Sequence, residues 1–254
     1  MDKKHTMSDL YQMQCLPLTA KIRMTERRIR EWVDVYGEDG VYVSFSGGKD
    51  STVLLDIVIN RCGFKNVPAV FVDVPTQYPE LKDFSIDFCE KNNVQLTILK
   101  PKLSFAQVCD RYGFPLISKE ISETIEEVKR SVELGNTSTV RMKQLNGEYE
   151  GSPFNKGKWK FLLDADFSVS AKCCDHLKKN PIREFEKKTN RKPILGTMAS
   201  ESMQRTTSWI INGCNAFDLK NPQSRPISFW SENDVLLYLK TNGNYHYIGL
   251  NPNK

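Results

Sequence analysis

The stretch Val41-Tyr42-Val43-Ser44-Phe45-Ser46-Gly47-Gly48-Lys49-Asp50-Ser51 does most to limit what this chain can become. Residues Val41 to Phe45 read as a short apolar strand, the two glycines permit a tight turn, and the apolar run from Ser51 to Cys62, closed by Gly63, reads as a buried helix. A strand that feeds a helix through a Gly-rich turn is the first half of a crossover unit, and the strand that completes it lies parallel to the first.

The alternation continues with a strand over Pro68 to Val74, a helix over about Glu80 to Lys91 and a strand over Val94 to Leu99. It resumes with a strand over Pro193 to Thr197 and a helix over Glu201 to Ile211. The pattern predicts an α/β protein with an open parallel sheet and helices on both faces. Ahead of it, Leu18 to Tyr36 reads as an amphipathic N-terminal helix with Ile22, Ile29, Trp32, Val33 and Tyr36 on one face and Gly37 as a stop. Beyond Phe105 the pattern turns helical, with Ile117, Ile121, Ile125, Val128 and Val132 marking a face, and from Gly135 to Lys160 periodicity is weak. That middle region reads as a helical insertion with an irregular segment. A helix is expected from Cys173 to Lys188, and Ser231-Glu232-Asn233-Asp234 has the form of a capping box for a last helix.

Composition narrows the function classes. Hydrophobic residues make up 39% and charged residues 26% of the 254, which describes an ordinary globular chain. No run of about 18 apolar residues occurs, and Asp2, Lys3, Lys4, His5 and Asp9 leave no apolar core for a secretory leader, so no membrane span and a cytoplasmic location are expected. The formal charge of +5 comes from Lys and Arg spread along the chain, so anionic ligands are mildly favoured and nucleic-acid binding is left open without being implied. Seven cysteines, an odd number, argue for thiol or metal chemistry over a disulfide framework.

The loop carries the strongest chemical signal. Gly47 and Gly48 let the backbone approach an anion, a helix N-terminus follows, and Ser46, Lys49 and Ser51 add donors suited to phosphate. It is not a Walker A loop, since Val43 and Asp50 stand where that motif needs Gly and Ser or Thr, and it does not spell the dinucleotide fingerprint. Asp50 has two readings, a Mg²⁺ ligand beside phosphate or a helix cap.

Ser-Gly-Gly-Lys-Asp-Ser after an apolar strand is similar to the PP-loop of ATP pyrophosphatases and of the phosphoadenylyl-sulfate (PAPS) reductase family. Three further segments resemble that family: Phe71 to Glu80, Gly196 to Arg205, and Arg225 to Trp230 leading into the Ser231 helix. A fourth, Lys172-Cys173-Cys174-Asp175-His176, resembles the paired-cysteine segment of members that carry a four-iron cluster. The resemblance covers about Val41 to Lys240. It implies a PP-loop, adenine nucleotide alpha hydrolase-like domain over 41–254 preceded by a helical extension over 1–40. It also implies an adenine nucleotide, ATP or a sulfonucleotide, held by Ser44, Ser46, Gly47, Gly48, Ser51, Asp73, Thr76 and Glu201, with Lys49, Asp50 and Arg205 as the catalytic set. Mg²⁺ and a four-iron cluster on Cys173, Cys174 and Cys214 are the further cofactor candidates, and a thiol reductant such as thioredoxin, or a partner protein, is the macromolecular one.

The bland readings stand beside these. Glu201 and Arg205 have the spacing of an exposed helix pair, Asp73 and Thr76 that of a turn ahead of a Pro-started helix, and buried free cysteines are common. Trp230 is read as a core contact, and Cys15, Cys62, Cys89 and Cys109 as packing residues. The family's Glu-Cys-Gly-type tail and distal Cys-x-x-Cys pair do not occur in this sequence, which suits either a shortened relative or one with altered chemistry; His176 and His246 are the remaining candidates to complete a metal site. Three functions follow from the resemblance: a reductase-like enzyme of sulfur transfer, an ATP pyrophosphatase of the tRNA or DNA thiolation type, or a non-catalytic nucleotide-binding subunit.

Overall fold

In the computed structural model, residues 3–136 and 138–242 are described. They form two compact units, the first drawn from Met1–Asp73, Gln77–Leu99 and Glu184–Lys254, the second from Val74–Thr76 and Lys100–Arg183. His246, weighed above as a ligand, lies outside the described residues.

The first unit holds a six-stranded sheet of β1 (Val41–Ser44), β2 (Ala69–Val72), β3 (Leu96–Leu99), β4 (Lys192–Leu195), β5 (Asn215–Ala216) and β6 (Gln223–Ser224), in the order β3-β2-β1-β4-β6-β5. All neighbours run parallel except the β5–β6 pair, so the expected parallel sheet carries one antiparallel edge strand. From β1 the chain adds β2 and β3 on one side and then returns to lay β4 on the other. The sheet order therefore reverses between β1 and β4, and ligands in open α/β sheets lie beyond the carboxyl ends of strands at such a reversal. Ser44 pairs with Leu195 across it, which starts the loops after both strands at the same level.

Helices α1 (Met7–Gln14), α2 (Leu18–Tyr36), α3 (Lys49–Asp56) and α4 (Pro79–Lys91) accompany these strands. Helix α2 has the bounds that periodicity predicts, because its stripe of Ile22, Ile29, Trp32 and Val33 is buried and Gly37 ends it at φ 73°. These residues join Val41, Val43, Leu54, Ile57, Ile194 and Trp230 in one core, so the N-terminal helices belong to the first unit's interior. Trp230 is buried there as expected, donating from Nε1 to Thr25 Oγ1 at 3.0 Å.

The second unit contains α5 (Phe105–Tyr112), α6 (Lys119–Glu133) and α7 (Val140–Leu145). Its core gathers Ile121, Ile125, Val128, Leu145, Leu162 and Val169. Two positions of the expected α6 face fall outside it. Ile117 precedes the Ser118 cap in a left-handed conformation, φ 64°, and Val132 is exposed. Buried Lys156 pins the irregular segment through Glu120 Oε1 at 2.5 Å.

The expected helix from Cys173 to Lys188 forms without interruption, with a π-helical turn over Asp175–Lys179 running directly into α8 (Asn180–Thr189). Pro181 has no N–H to donate back along the helix, and the preceding Asn180 N–H reaches five residues to Asp175 O. Among the described residues two further helices follow, α9 (Met203–Asn212) and α10 (Glu232–Asn242). No described helix is long and apolar enough to cross a membrane.

Candidate functional site

The loop between β1 and α3 is built from serine hydroxyls. Ser46 N donates to Ser51 Oγ at 3.2 Å, Gly48 N to Ser46 Oγ at 3.3 Å, and Ser51 Oγ to Gly48 O at 2.9 Å. The Ser51 proton is then committed, which makes Ser46 Oγ the donor in the 3.0 Å contact between the two hydroxyls. Gly47 sits at φ 71°, and a Cβ there would lie 2.8 Å from Ser85 Oγ and 2.9 Å from Leu81 O on α4. Gly48 is the N-cap of α3 and supplies no side-chain cap, so the first turn of α3 presents amides and the positive end of its dipole to an anion.

The loop after β4 closes on this turn because Gly196 lacks a side chain. A Cβ on it would come within 3.0 Å of Ser51 Cα and 3.1 Å of Asp50 O. Past Gly196 the chain makes a 3₁₀ turn, Ala199–Glu201, and only then α9. Glu201 and Arg205 were expected on one continuous helix, but Ser202 is extended and caps α9, its Oγ accepting from Arg205 N at 3.3 Å. Glu201 lies before the cap, accepts from Met198 N at 2.6 Å and also pairs with the Arg205 guanidinium. The pair therefore bridges a turn and a helix.

Charges alternate around the loop. Lys49 Nζ reaches Asp50 Oδ2 at 3.3 Å and Glu232 Oε1, in the first turn of α10, at 3.3 Å. Burial works against the lysine's charge, but the two carboxylates outweigh it and hold Lys49 above its ordinary pKa. Asp50 is pushed up, first by burial, with Lys49 opposing and the charges of Glu201 and Glu232 adding. Its buried Oδ1 has no hydrogen-bond partner among the described residues. An orphaned carboxylate oxygen beside a phosphate-type loop suits a Mg²⁺ ion, which takes one or two carboxylates together with ligand phosphates.

Ser44 ends β1, half-buried. Asp73 follows β2 and pairs with Lys82 Nζ of α4 at 2.8 Å. Thr76 belongs to the second unit and is exposed. Cys173 and Cys174 are adjacent in the second unit, where burial and then the Cys174 sulfur raise the Cys173 thiol. Cys214 lies in the first unit's core, 3.4 Å from Ser228 Oγ, its thiol raised by burial. Among the described residues no three His, Cys, Asp or Glu side chains gather as a metal site. A four-iron cluster takes four cysteine ligands as a rule, and the described residues do not assemble such a set.

Sequence reading missed Lys82 as the partner of Asp73 and Glu232 as a partner of Lys49. Glu232 had a visible signal, an acid in the first turn of a capped helix, but its meeting with Lys49 spans 183 residues of chain.

Residues 40–118 match the family description "Phosphoadenosine phosphosulfate reductase domain". The resemblance read from the sequence is borne out over that segment, which contains the loop and the β2–α4 connection. No curated protein matches the chain. Among solved structures, phosphoadenylyl-sulfate (PAPS) reductase from Candida auris, a phosphate complex, is 14% identical with a TM-score of 0.48, over 86% of this chain and 79% of that one. The NH3-dependent NAD synthetase from Campylobacter jejuni, with nitrate, is 13% identical at 0.46, over 89% and 73%. The U34-tRNA thiolase NcsA from Methanococcus maripaludis, with its 4Fe–4S cluster, is 18% identical at 0.43, over 87% and 64%.

Proposed function

We propose that this chain is a PAPS reductase-like enzyme of sulfur transfer or reduction that binds an adenine sulfonucleotide at the Ser46–Ser51 loop. The observation that carries the reading is the uncapped α3 N-terminus behind a serine-lined glycine turn, within the segment that matches the reductase domain. Ser46, Gly47, Gly48 and Ser51 bind phosphate through amides and hydroxyls, the anion replacing bonds that the Ser46 and Ser51 hydroxyls and the Ser46 and Gly48 amides otherwise make within the loop. Lys49 adds a cation held charged by two carboxylates. Arg205 meets the outer sulfate or phosphate oxygens in charge-assisted hydrogen bonds, exchanging part of its pairing with Glu201. A thiolate attacking the sulfur would form an S-sulfonate as the bond to the adenosine phosphate breaks, and a second thiolate of the same dithiol would then release sulfite as the disulfide forms. A thiol reductant, from thioredoxin or a partner protein, would supply that nucleophile.

A second reading is favoured by the orphaned Oδ1 of Asp50: an ATP pyrophosphatase that adenylates an acceptor. There Mg²⁺ would neutralise charge developing on the phosphates, and Asp50 would hold it. The two readings separate by product. Incubation with adenylyl sulfate or its 3′-phosphorylated form and a dithiol is expected to yield sulfite and adenosine phosphate, whereas ATP with Mg²⁺ and an acceptor would yield AMP and pyrophosphate. Sulfite absent and pyrophosphate present would overturn the first reading in favour of the second. Arg205→Ala is expected to weaken a sulfonucleotide by about tenfold or more while barely affecting AMP, since a charge-assisted bond in a cleft is worth roughly 1.5–3 kcal/mol and an exposed helix pair about 0.3–0.5. Calorimetric titration of both ligands decides between those magnitudes.

A further inference from the structure

Arg225 stands between β6 and the start of α10, and three bonds fix its position. Its backbone N–H donates to Cys214 O at 2.8 Å, its carbonyl accepts from Ser228 N at 3.0 Å, and its Nη1 donates to Ser208 Oγ at 2.6 Å. Ser208 lies three residues after Arg205 on α9, so the two share a helix face and the hydroxyl holds the Arg225 guanidinium against the face that carries Arg205. Among the described residues no carboxylate pairs with Arg225, whereas Arg205 has Glu201 and Lys49 has Asp50 and Glu232. Burial, and then the positive charge of Arg205, hold Arg225 below its usual pKa. A guanidinium retains its proton even so, and two cations at one helix face, one of them without a carboxylate partner, are relieved by a shared anion.

We propose that Arg225 is a specificity-determining residue of the nucleotide site, binding with Arg205 the sulfate or phosphate group that lies beyond the ligand's first phosphate. The inference rests on the nucleotide reading above and deepens it. The segment after β4 links the two ends of the site, since Gly196 lies against Ser51 and Asp50 of the loop and Glu201, five residues on, pairs with Arg205. A ligand with only a 5′-phosphate occupies the α3 end. One with a second anionic group spans from the loop to the arginine pair, where forked donors match two oxygens of a tetrahedral group.

The test compares wild type with Arg225→Gln and Arg225→Lys by calorimetry, using AMP, adenylyl sulfate and inorganic pyrophosphate, with thermal unfolding as a check on folding. Arg225→Gln is expected to weaken adenylyl sulfate and pyrophosphate by about tenfold or more and AMP by less than about twofold. Arg225→Lys keeps the charge without the fork and is expected to fall between; it also carries the test if the Gln variant does not fold. Equal losses for AMP and adenylyl sulfate, or no loss for either, overturn the proposal. If wild type binds no nucleotide, the nucleotide reading fails on its own, and the pyrophosphate arm still decides: binding lost in the variant supports Arg225 as an anion site, and binding unchanged or absent from wild type overturns it.

Discussion

Gly47 and Asp50 serve the loop at a cost to stability. At Gly47 both conditions for glycine coincide, a positive φ and a backbone oxygen where a Cβ would sit. Gly63 shares the positive φ, at 81°, with nothing within 4 Å. Gly63→Ala should therefore cost only the conformational penalty of about 1–2 kcal/mol, and Gly47→Ala clearly more; urea unfolding of the two variants measures the difference. Asp50 titrates above its ordinary value of 3.8 in the folded chain because burial disfavours its charge. Folding thus favours the protonated acid. The resulting stability is full below 3.8 and is lost as pH rises through the higher folded value. Asp50→Asn stays neutral, so its melting temperature relative to wild type should be higher at about pH 7 than at about pH 3.5. A shift that is equal at both pH values would show that Asp50 carries no such penalty.

Helix α10 shows a local signal drawn into a distant contact. The capping box predicted from Ser231 and Asp234 forms, with Ser231 N donating to Asp234 Oδ2 at 2.7 Å and Asp234 N to Ser231 Oγ at 3.3 Å. The same Oδ2 accepts from Lys21 Nζ of α2 at 2.6 Å, and Lys21 is 1% exposed. Removing the cap hydroxyl with Ser231→Ala should cost about 1 kcal/mol. Asp234→Ala should cost roughly 3–5 kcal/mol, because it strands a buried ammonium as well. Denaturant midpoints of the two variants check this, and equal losses would mean that the ion pair adds nothing beyond the cap. Asp234 is held below its ordinary pKa despite burial, by Lys21 and by the Ser231 bonds. Its contribution is therefore present above the ordinary carboxylate range and lost as pH falls through the depressed value. Where an element bound departed from expectation, at Glu201, the cause was one competing local bond, the Ser202 hydroxyl accepting from Arg205 N; at Pro181 the missing N–H changed the winding of the expected helix and not its bounds.

Across the chain, the cysteines sort by burial. Cys62 is pushed up to about 11 and Cys89 to about 12 by burial, and Cys214 is raised as well, while Cys15 is exposed. At about pH 8 a thiol reagent should modify Cys15 in the native protein and reach Cys62, Cys89 and Cys214 only after unfolding, as peptide mass mapping would reveal. Native labelling of any of the three would contradict the packing. The reading of Cys62 and Cys89 as core residues followed from their helical apolar neighbours. Helix α2, the strand–turn–helix around Ser46 to Ser51 and the alternation of strands and helices were readable for the same reason, since periodicity, glycine and capping act within a few residues. Contacts between residues far apart in the chain were not readable. The insertion of β4 beside β1, the Gly196 backbone against Ser51, the Lys49–Glu232 pair and the bond from Arg225 to Ser208 of α9 depend on the order in which strands enter the sheet. Local residue patterns decide which segments become strands and helices, but the packing of apolar faces around one core decides which loops meet, and only that meeting assembles the charges of the site.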